Sequence, residues 1–258
     1  MGGRMRQFGR IAGQAAPKYV EILDGEAHVL ADGVTPTGEI LKLSEVELLS
    51  PVVPTKIVGI GKNYRAHAAE MGGAPPAQPL MFLKPPSSII ATGKTVVLPA
   101  ISERVDYEAE LGVVIGTRAH KVSLKDAMDC VFGYTIVCDV TARDLQQNDG
   151  QWTRAKGFDT FCPIGPFITQ DIDPRALAIR LRVNGELRQD GSTRDMVFSI
   201  AELIVHITQV MTLEPGDVIA TGTPDGVGPL KHGDRVVVSI EQLGELEFSV
   251  RADSHGKR

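Results

Sequence analysis

Short stretches with the two-residue period of β-strands recur along this chain between turn signals, and they leave little room for long helices. Residues 95–99 (TVVLP), 107–116 (YEAELGVVIG), 133–139 (GYTIVCD), 177–189 (LAIRLRVNGELRQ), 217–223 (DVIATGT), 234–242 (DRVVVSIEQ) and 245–250 (ELEFSV) are β-branched or alternating. Asp24-Gly25 lies between KYVEIL and EAHVLA, and Asn184-Gly185 splits the 177–189 run; both dipeptides favour the tight turn of a β-hairpin. One segment has clear helical period. In residues 199–211 a Ser199/Glu202 capping-box pair precedes an apolar stripe of Ile200, Leu203, Ile204, Ile207 and Met211. Two shorter helices are expected to begin at Ser123 and Thr141, each with an Asp three residues on. Many strands with few scattered helices predict an α+β, mostly β fold rather than a doubly wound sheet. Pro51 and Pro54 punctuate the chain before the apolar strand KIVGIG, which sets a boundary near residue 50. Residues 1–50 then form a small N-terminal β-rich domain and residues 51–258 the main one.

Composition narrows the partners. With 43% hydrophobic and 23% charged residues in 258, a sizeable core can be buried. The net charge is −5 and no run of Lys or Arg forms a basic stripe, which argues against nucleic acid or an anionic membrane. Cys130, Cys138 and Cys162 are odd in number and widely spaced in apolar surroundings, the usage of a reducing compartment. The N-terminus lacks the apolar core of a signal peptide, Arg6 breaks the myristoylation pattern, and no uncharged apolar run approaches a membrane span. The cytoplasm is the expected location.

The residues with the most chemical content lie in 105–113 (VDYEAELGV). On a strand, Tyr107, Ala109, Leu111 and Val113 share an apolar face, and Asp106, Glu108 and Glu110 share the other. Carboxylates two residues apart sit about 7 Å apart at the backbone, from a rise of ~3.3 Å per residue, so their side chains can converge on one cation. Like charges that close need a metal or a shared proton to compensate them. Asp139, at the end of the apolar run 134–138, is a third acid that requires a partner if buried. Three hard oxygen donors suit Mg²⁺ or Mn²⁺, with Ca²⁺ also compatible and zinc less so. The solvated face of an edge strand would read the same way, and spacing alone does not separate the two.

Three further signals are weaker. His67 and Glu70 stand at i and i+3 in a helical turn, where the carboxylate can orient the imidazole as a general base; an ordinary surface pair has the same spacing. The Gly72–Pro76 stretch behind them could let that turn act as a lid. Lys156 lies among aromatic residues, placed either to neutralise clustered carboxylates or an anionic substrate, or simply in an exposed loop. Residues 221–226 (TGTPDG) form a turn whose N–H groups and hydroxyls can hold a carboxylate, as generic turns also can. His28, His120, His206, His232 and His255 show no ligand spacing and read as structural or solvated.

Taken together, IVGIGKNYRAHAAEMG, LMFLKPPSSI, VDYEAELGVVIG, GYTIVCDVTARDLQ, DGQWTRAKGFDTFCPIGP and IATGTPDGVGP resemble the fumarylacetoacetate hydrolase family, in family order from about Lys56 onward. The resemblance implies a mixed β-sandwich roll behind a small N-terminal domain, and a homodimer. It places the family's metal ligands on Glu108, Glu110 and Asp139, its His–Glu dyad on His67 and Glu70, its active-site lysine on Lys156 and its carboxylate-binding threonine on Thr223. It also implies a 2-oxo acid substrate, or its enol, and Mg²⁺ (or Mn²⁺ or Ca²⁺) as cofactor. The activity implied is that of a 2-hydroxyhepta-2,4-diene-1,7-dioate isomerase or oxo-acid decarboxylase. An acylpyruvate hydrolase, a sugar-acid dehydratase on the same scaffold and a non-catalytic oxo-acid binding module are the alternatives. A pure binder has no need of the proton-transfer dyad.

Overall fold

The structure is a computed structural model that describes residues 5–254. It is α+β and mostly β, organised in three sheets. The largest runs in the order Pro36–Lys42, Glu26–Leu30, Lys18–Leu23, Arg6–Ile11, Cys162–Gln170, Val131–Cys138, Ala109–Ile115, Val218–Ala220, Ile57–Gly61, Leu80–Lys84. It is mixed: Val218–Ala220 and Ile57–Gly61 pair in parallel, while Ala109–Ile115 pairs antiparallel on both sides. A five-stranded sheet holds Glu186–Ser192, Ala178–Val183, Arg235–Ile240, Gly244–Ala252 and Thr95–Leu98, and a small third sheet centres on Val105–Tyr107.

The two hairpins form where the dipeptides predict them. Asp24 and Gly25 have φ of 51° and 83°, and Asn184 and Gly185 have 52° and 83°, the left-handed pairs of a two-residue hairpin turn. In Ala178–Val183, Ile179, Leu181 and Val183 are buried while Arg180 and Arg182 are exposed, so this sheet keeps one wet face. Ala109–Ile115 is buried at every residue, because the large sheet is covered on both faces there. Helix α4 (Ile200–Val210) has the expected capping box and buries Ile200, Leu203, Ile204 and Ile207; Met211 is its C-cap. Each such aliphatic side chain contributes about 1.5–3 kcal/mol on burial. Ile11, Val20, Ala27 and Val29 make a separate cluster under the N-terminal strands.

Two helix starts fall elsewhere. No helix begins at Ser123: its hydroxyl is taken by the Asp126 carboxylate, the segment closes as a turn, and a 3₁₀ turn at Met128–Cys130 leads directly into strand Val131–Cys138. Thr141 is extended and pairs with Val105–Tyr107, its hydroxyl donating back to the Asp139 carbonyl, so helix α2 (Arg143–Asp149) starts two residues later. Residues 105–113 also form two strands instead of one. Val105–Tyr107 belongs to the small sheet and Ala109–Ile115 to the large one, with Glu108 at the switch.

Candidate active site

The switch at Glu108 brings the acids together. Ala109 pairs with Cys138 in the antiparallel register, so the next step outward sets Glu108 against Asp139, and the Asp139 N–H donates to the Glu108 carbonyl at 2.8 Å. Glu110 lies one turn of the pleat inward on the same side as Glu108. A carboxylate oxygen from each of Glu108, Glu110 and Asp139 lies within 4.8 Å of the other two, and all three residues are buried. The edge-strand reading therefore fails: these are interior acids.

Buried charge needs compensation, and the surroundings supply most of it. Lys156, at the end of helix α3 (Thr153–Lys156), places Nζ 2.8 Å from Glu108 Oε2, on Asp139 Oδ2, and 4.8 Å from the centre of the Phe82 ring. Lys84, the last residue of the sheet-edge strand Leu80–Lys84, donates to Asp139 Oδ1 at 2.6 Å and to the Lys156 carbonyl at 2.7 Å. Arg143 bridges Asp106 Oδ2 at 2.9 Å and Glu108 Oε1 at 2.6 Å. Burial pushes the Glu108 carboxyl up, but Lys156 and Arg143 outweigh it and hold the group well below the usual carboxylate range. Burial likewise lowers Lys156, and the charges of Asp139 and Glu108 reverse that.

Glu110 is the exception. Its carboxylate receives the Gly222 N–H at 2.8 Å and touches no cation among the described residues. Burial first, and then the charges of Asp139 and Glu108, drive it well above its ordinary value. Asp106 is paired with Arg143 and the more exposed Arg104, Glu108 with Arg143 and Lys156, and Asp139 with Lys84 and Lys156. Glu110, beside two other acids, is the one of these four carboxylates with no cationic partner among the described residues. An all-oxygen donor set that includes such an unpaired carboxyl fits a hard divalent cation.

His67 is in helix α1 (Arg65–Glu70) and buried, unlike a surface helix residue. Its Nδ1 lies 3.2 Å from Glu70 Oε2, which makes Nδ1 the protonated nitrogen of the neutral ring and leaves Nε2 as the base. The other Glu70 oxygen accepts the Gly226 N–H at 3.1 Å, so the dyad is tied to the threonine loop. Thr223 is buried in that loop, and its Oγ1 accepts from Gln189 Nε2 at 2.8 Å, which leaves its own hydrogen free to donate. Asn63 anchors the start of the region by donating to the carbonyls of Thr221 and Phe198.

One cavity of about 230 Å³ is lined by His67, Glu108, Glu110, Lys156 and Thr223. Asp139 lies directly behind it, fully buried, and Glu70 behind His67. All seven residues singled out in the sequence are therefore gathered in one place. The residues not singled out are Arg143, Lys84, Asp106 and Gln189. Arg143 follows Asp139 by four positions, a detectable signal, whereas Gln189 looks like any strand residue of a hairpin. None of the other described histidines lines the cavity: His28 is 3.7 Å from Glu26, His120 meets the Thr212 hydroxyl, and His232 accepts from Ala252. His255 lies outside the described residues. The three cysteines are free. No described helix is long and apolar enough to cross a membrane.

Fold and site define a class. The family model for the fumarylacetoacetate hydrolase C-terminal region matches residues 56–251, a second model (Rv2993c-like, N-terminal) matches residues 5–51, and the chain belongs to the fumarylacetoacetate hydrolase family. Among its relatives, the oxaloacetate tautomerase YisK of Bacillus subtilis is 47% identical over 223 residues, covering 81% of this chain and 74% of the relative. The 2-hydroxyhepta-2,4-diene-1,7-dioate isomerase structure from Mycobacterium marinum matches with a TM-score of 0.90 at 41% identity, covering 96% of this chain and 99% of that one. The fumarylpyruvate hydrolase of Pseudomonas aeruginosa, solved with Mn²⁺ and pyruvate, matches with a TM-score of 0.74 at 35% identity, covering 79% and 91%. Family members bearing these names are enzymes, and the reaction type differs among them.

Proposed function

We propose that this protein moves a proton between the carbon and oxygen of a 2-oxo acid and its enol, acting as a tautomerase or isomerase of 2-oxo dicarboxylic acids. The observation that carries this reading is the placement of His67, its Nδ1 fixed by Glu70, in the same cavity as Glu108, Glu110 and Lys156. Glu108, Glu110 and Asp139 would hold one Mg²⁺ or Mn²⁺ ion, and that ion supplies Lewis-acid stabilisation of the enolate. His67 Nε2 takes the proton from the carbon next to the 2-oxo group and returns it there or to a conjugated position. Glu70 fixes the tautomer and stabilises the imidazolium that forms. Lys156, paired with Glu108 and Asp139, adds a positive charge where negative charge develops. Thr223 donates its free hydroxyl hydrogen to the substrate carboxylate, held at the correct rotation by Gln189. The apolar walls of Phe82, Trp152 and Ile60 limit water around the transfer.

The tautomerase and isomerase names of two relatives support this choice over hydrolysis. The same dyad could activate water for cleavage of an acylpyruvate, the reaction class named for the Pseudomonas relative. Following enol absorbance while measuring carbon dioxide, carboxylic acid and tautomer as products separates these outcomes. Enol loss matched by tautomer alone is the expected result. Carbon dioxide or a cleaved acid in equal amount would replace the proposal with decarboxylation or C–C hydrolysis.

A further inference from the structure

The cavity contains one more cation than the chemistry above uses. Of the cationic side chains that line it, Arg143 is engaged by Asp106, Glu108 and Gln146, and Lys156 by Glu108 and Asp139. Lys62 lines the same cavity, is half-buried, and forms no ion pair among the described residues. It follows strand Ile57–Gly61 with φ of 57°, the left-handed region that residues other than Gly, Asn and Asp seldom occupy. The next residue, Asn63, pins that backbone to Thr221 and Phe198, so the conformation at Lys62 is imposed from both sides of the site. The ammonium reaches across to the chain behind helix α1, where a Cβ on Gly73 would lie 3.7 Å from Nζ.

We propose that Lys62 receives the distal carboxylate of the substrate and sets a preference for 2-oxo dicarboxylic over 2-oxo monocarboxylic acids. This rests on the proposed function only in placing the 2-oxo acid end of the ligand at the three carboxylates. A dicarboxylic ligand brings a second anion into a cavity already rich in acids, and only a cation not yet neutralised can offset it. Among the described residues, Lys62 is the one lining cation that meets this condition. Gly73, with no side chain, leaves its ammonium uncovered.

The test compares 2-oxoglutarate with 2-oxopentanoate, equal in chain length and differing by one carboxylate. Calorimetric Kd values in Mg²⁺ are measured for the wild type, Lys62→Asn, Lys62→Gln and Lys62→Arg. Asn tolerates the left-handed backbone, so a normal melting curve for that variant rules out loss of fold as the cause. The wild type should prefer the dicarboxylate by about tenfold or more, the value of one charge-assisted hydrogen bond. Asn and Gln should erase the preference and Arg should keep it. A preference that is absent in the wild type, or equal in the wild type and Lys62→Asn, overturns the assignment. The enol assay separates this from the proposed reaction. Absent turnover alongside a Lys62-dependent preference removes the reaction and keeps the binding role, whereas turnover with an unmoved preference removes only Lys62.

Discussion

Replacing Glu110 with Gln should stabilise the metal-free protein and weaken its response to metal. Glu110 is 1% exposed, and one of its oxygens lies within 4.8 Å of an oxygen of both Glu108 and Asp139. At that separation and an effective dielectric constant near 20, each like-charge pair repels by about 3.5 kcal/mol. Lys156 bridges the two neighbours and offsets roughly one of these pairs, so the relief is on the order of 3.5 kcal/mol, less whatever Glu110 avoids by holding a proton. A Gln side chain keeps the shape, still accepts from Gly222, and can donate to a neighbouring carboxylate. In excess chelator Glu110→Gln should therefore melt above the wild type, by up to roughly 7–14 °C at 2–4 °C per kcal/mol for a chain of this size. Saturating Mg²⁺ or Mn²⁺ should reverse the order. The wild type gains about 2.7 kcal/mol at a hundredfold excess over Kd, while a neutral amide in place of an anionic ligand gains little. Differential scanning calorimetry with chelator and with metal reads both arms. A variant that melts below the wild type in chelator, or that responds to metal equally, refutes the reasoning.

His67→Ala should keep the metal-induced rise in Tm while kcat falls by roughly 10²–10⁴, the usual contribution of a general base; unchanged turnover would remove His67 from the reaction. Lys84→Met leaves the buried Asp139 with Lys156 as its only cation, and should cost about 3–5 kcal/mol in urea unfolding with an unchanged m-value; a loss below about 1 kcal/mol would show that the pair is solvated. Asp217 gives a pH test. Burial raises its carboxyl, but donation from the Glu214 N–H, Lys56 and Thr55 outweighs that and holds it below its ordinary value. Its contribution is then complete above the unfolded value and lost as pH falls through the lower folded value. Asp217→Asn should cost about 1–3 kcal/mol at pH 7, with the gap closing in acid; a gap of constant size across that range would contradict the sign.

What could be read in the sequence was whatever a short period or a known spacing encodes. The strand runs, both hairpins and the capping box of α4 are local, and each formed where its own residues require. The carboxylate pair Glu108 and Glu110 was legible because the two acids alternate with apolar residues, although Glu108 sits at the switch between two strands and Glu110 within the second. Whether it was buried was not, since that depends on the sheet closing over both faces. Lys84 carried no local signal, and Arg143 only its spacing of four from Asp139. Their roles arise when the pairing of Ala109 with Cys138 sets Glu108 opposite Asp139, a contact between distant segments. Ser123 and Thr141 misled because Ser and Thr with a nearby Asp also build turns and extended corners, and here the sheet edges claimed those backbones.

Titration with Mn²⁺ followed by electron paramagnetic resonance tests directly whether Glu108, Glu110 and Asp139 hold a cation open to a 2-oxo acid. Binding of one ion per chain, lost in Glu108→Ala, with a bound-ion spectrum that changes when oxalate is added, is the expected result. Full-affinity binding in Glu108→Ala, or a spectrum indifferent to oxalate, would contradict it.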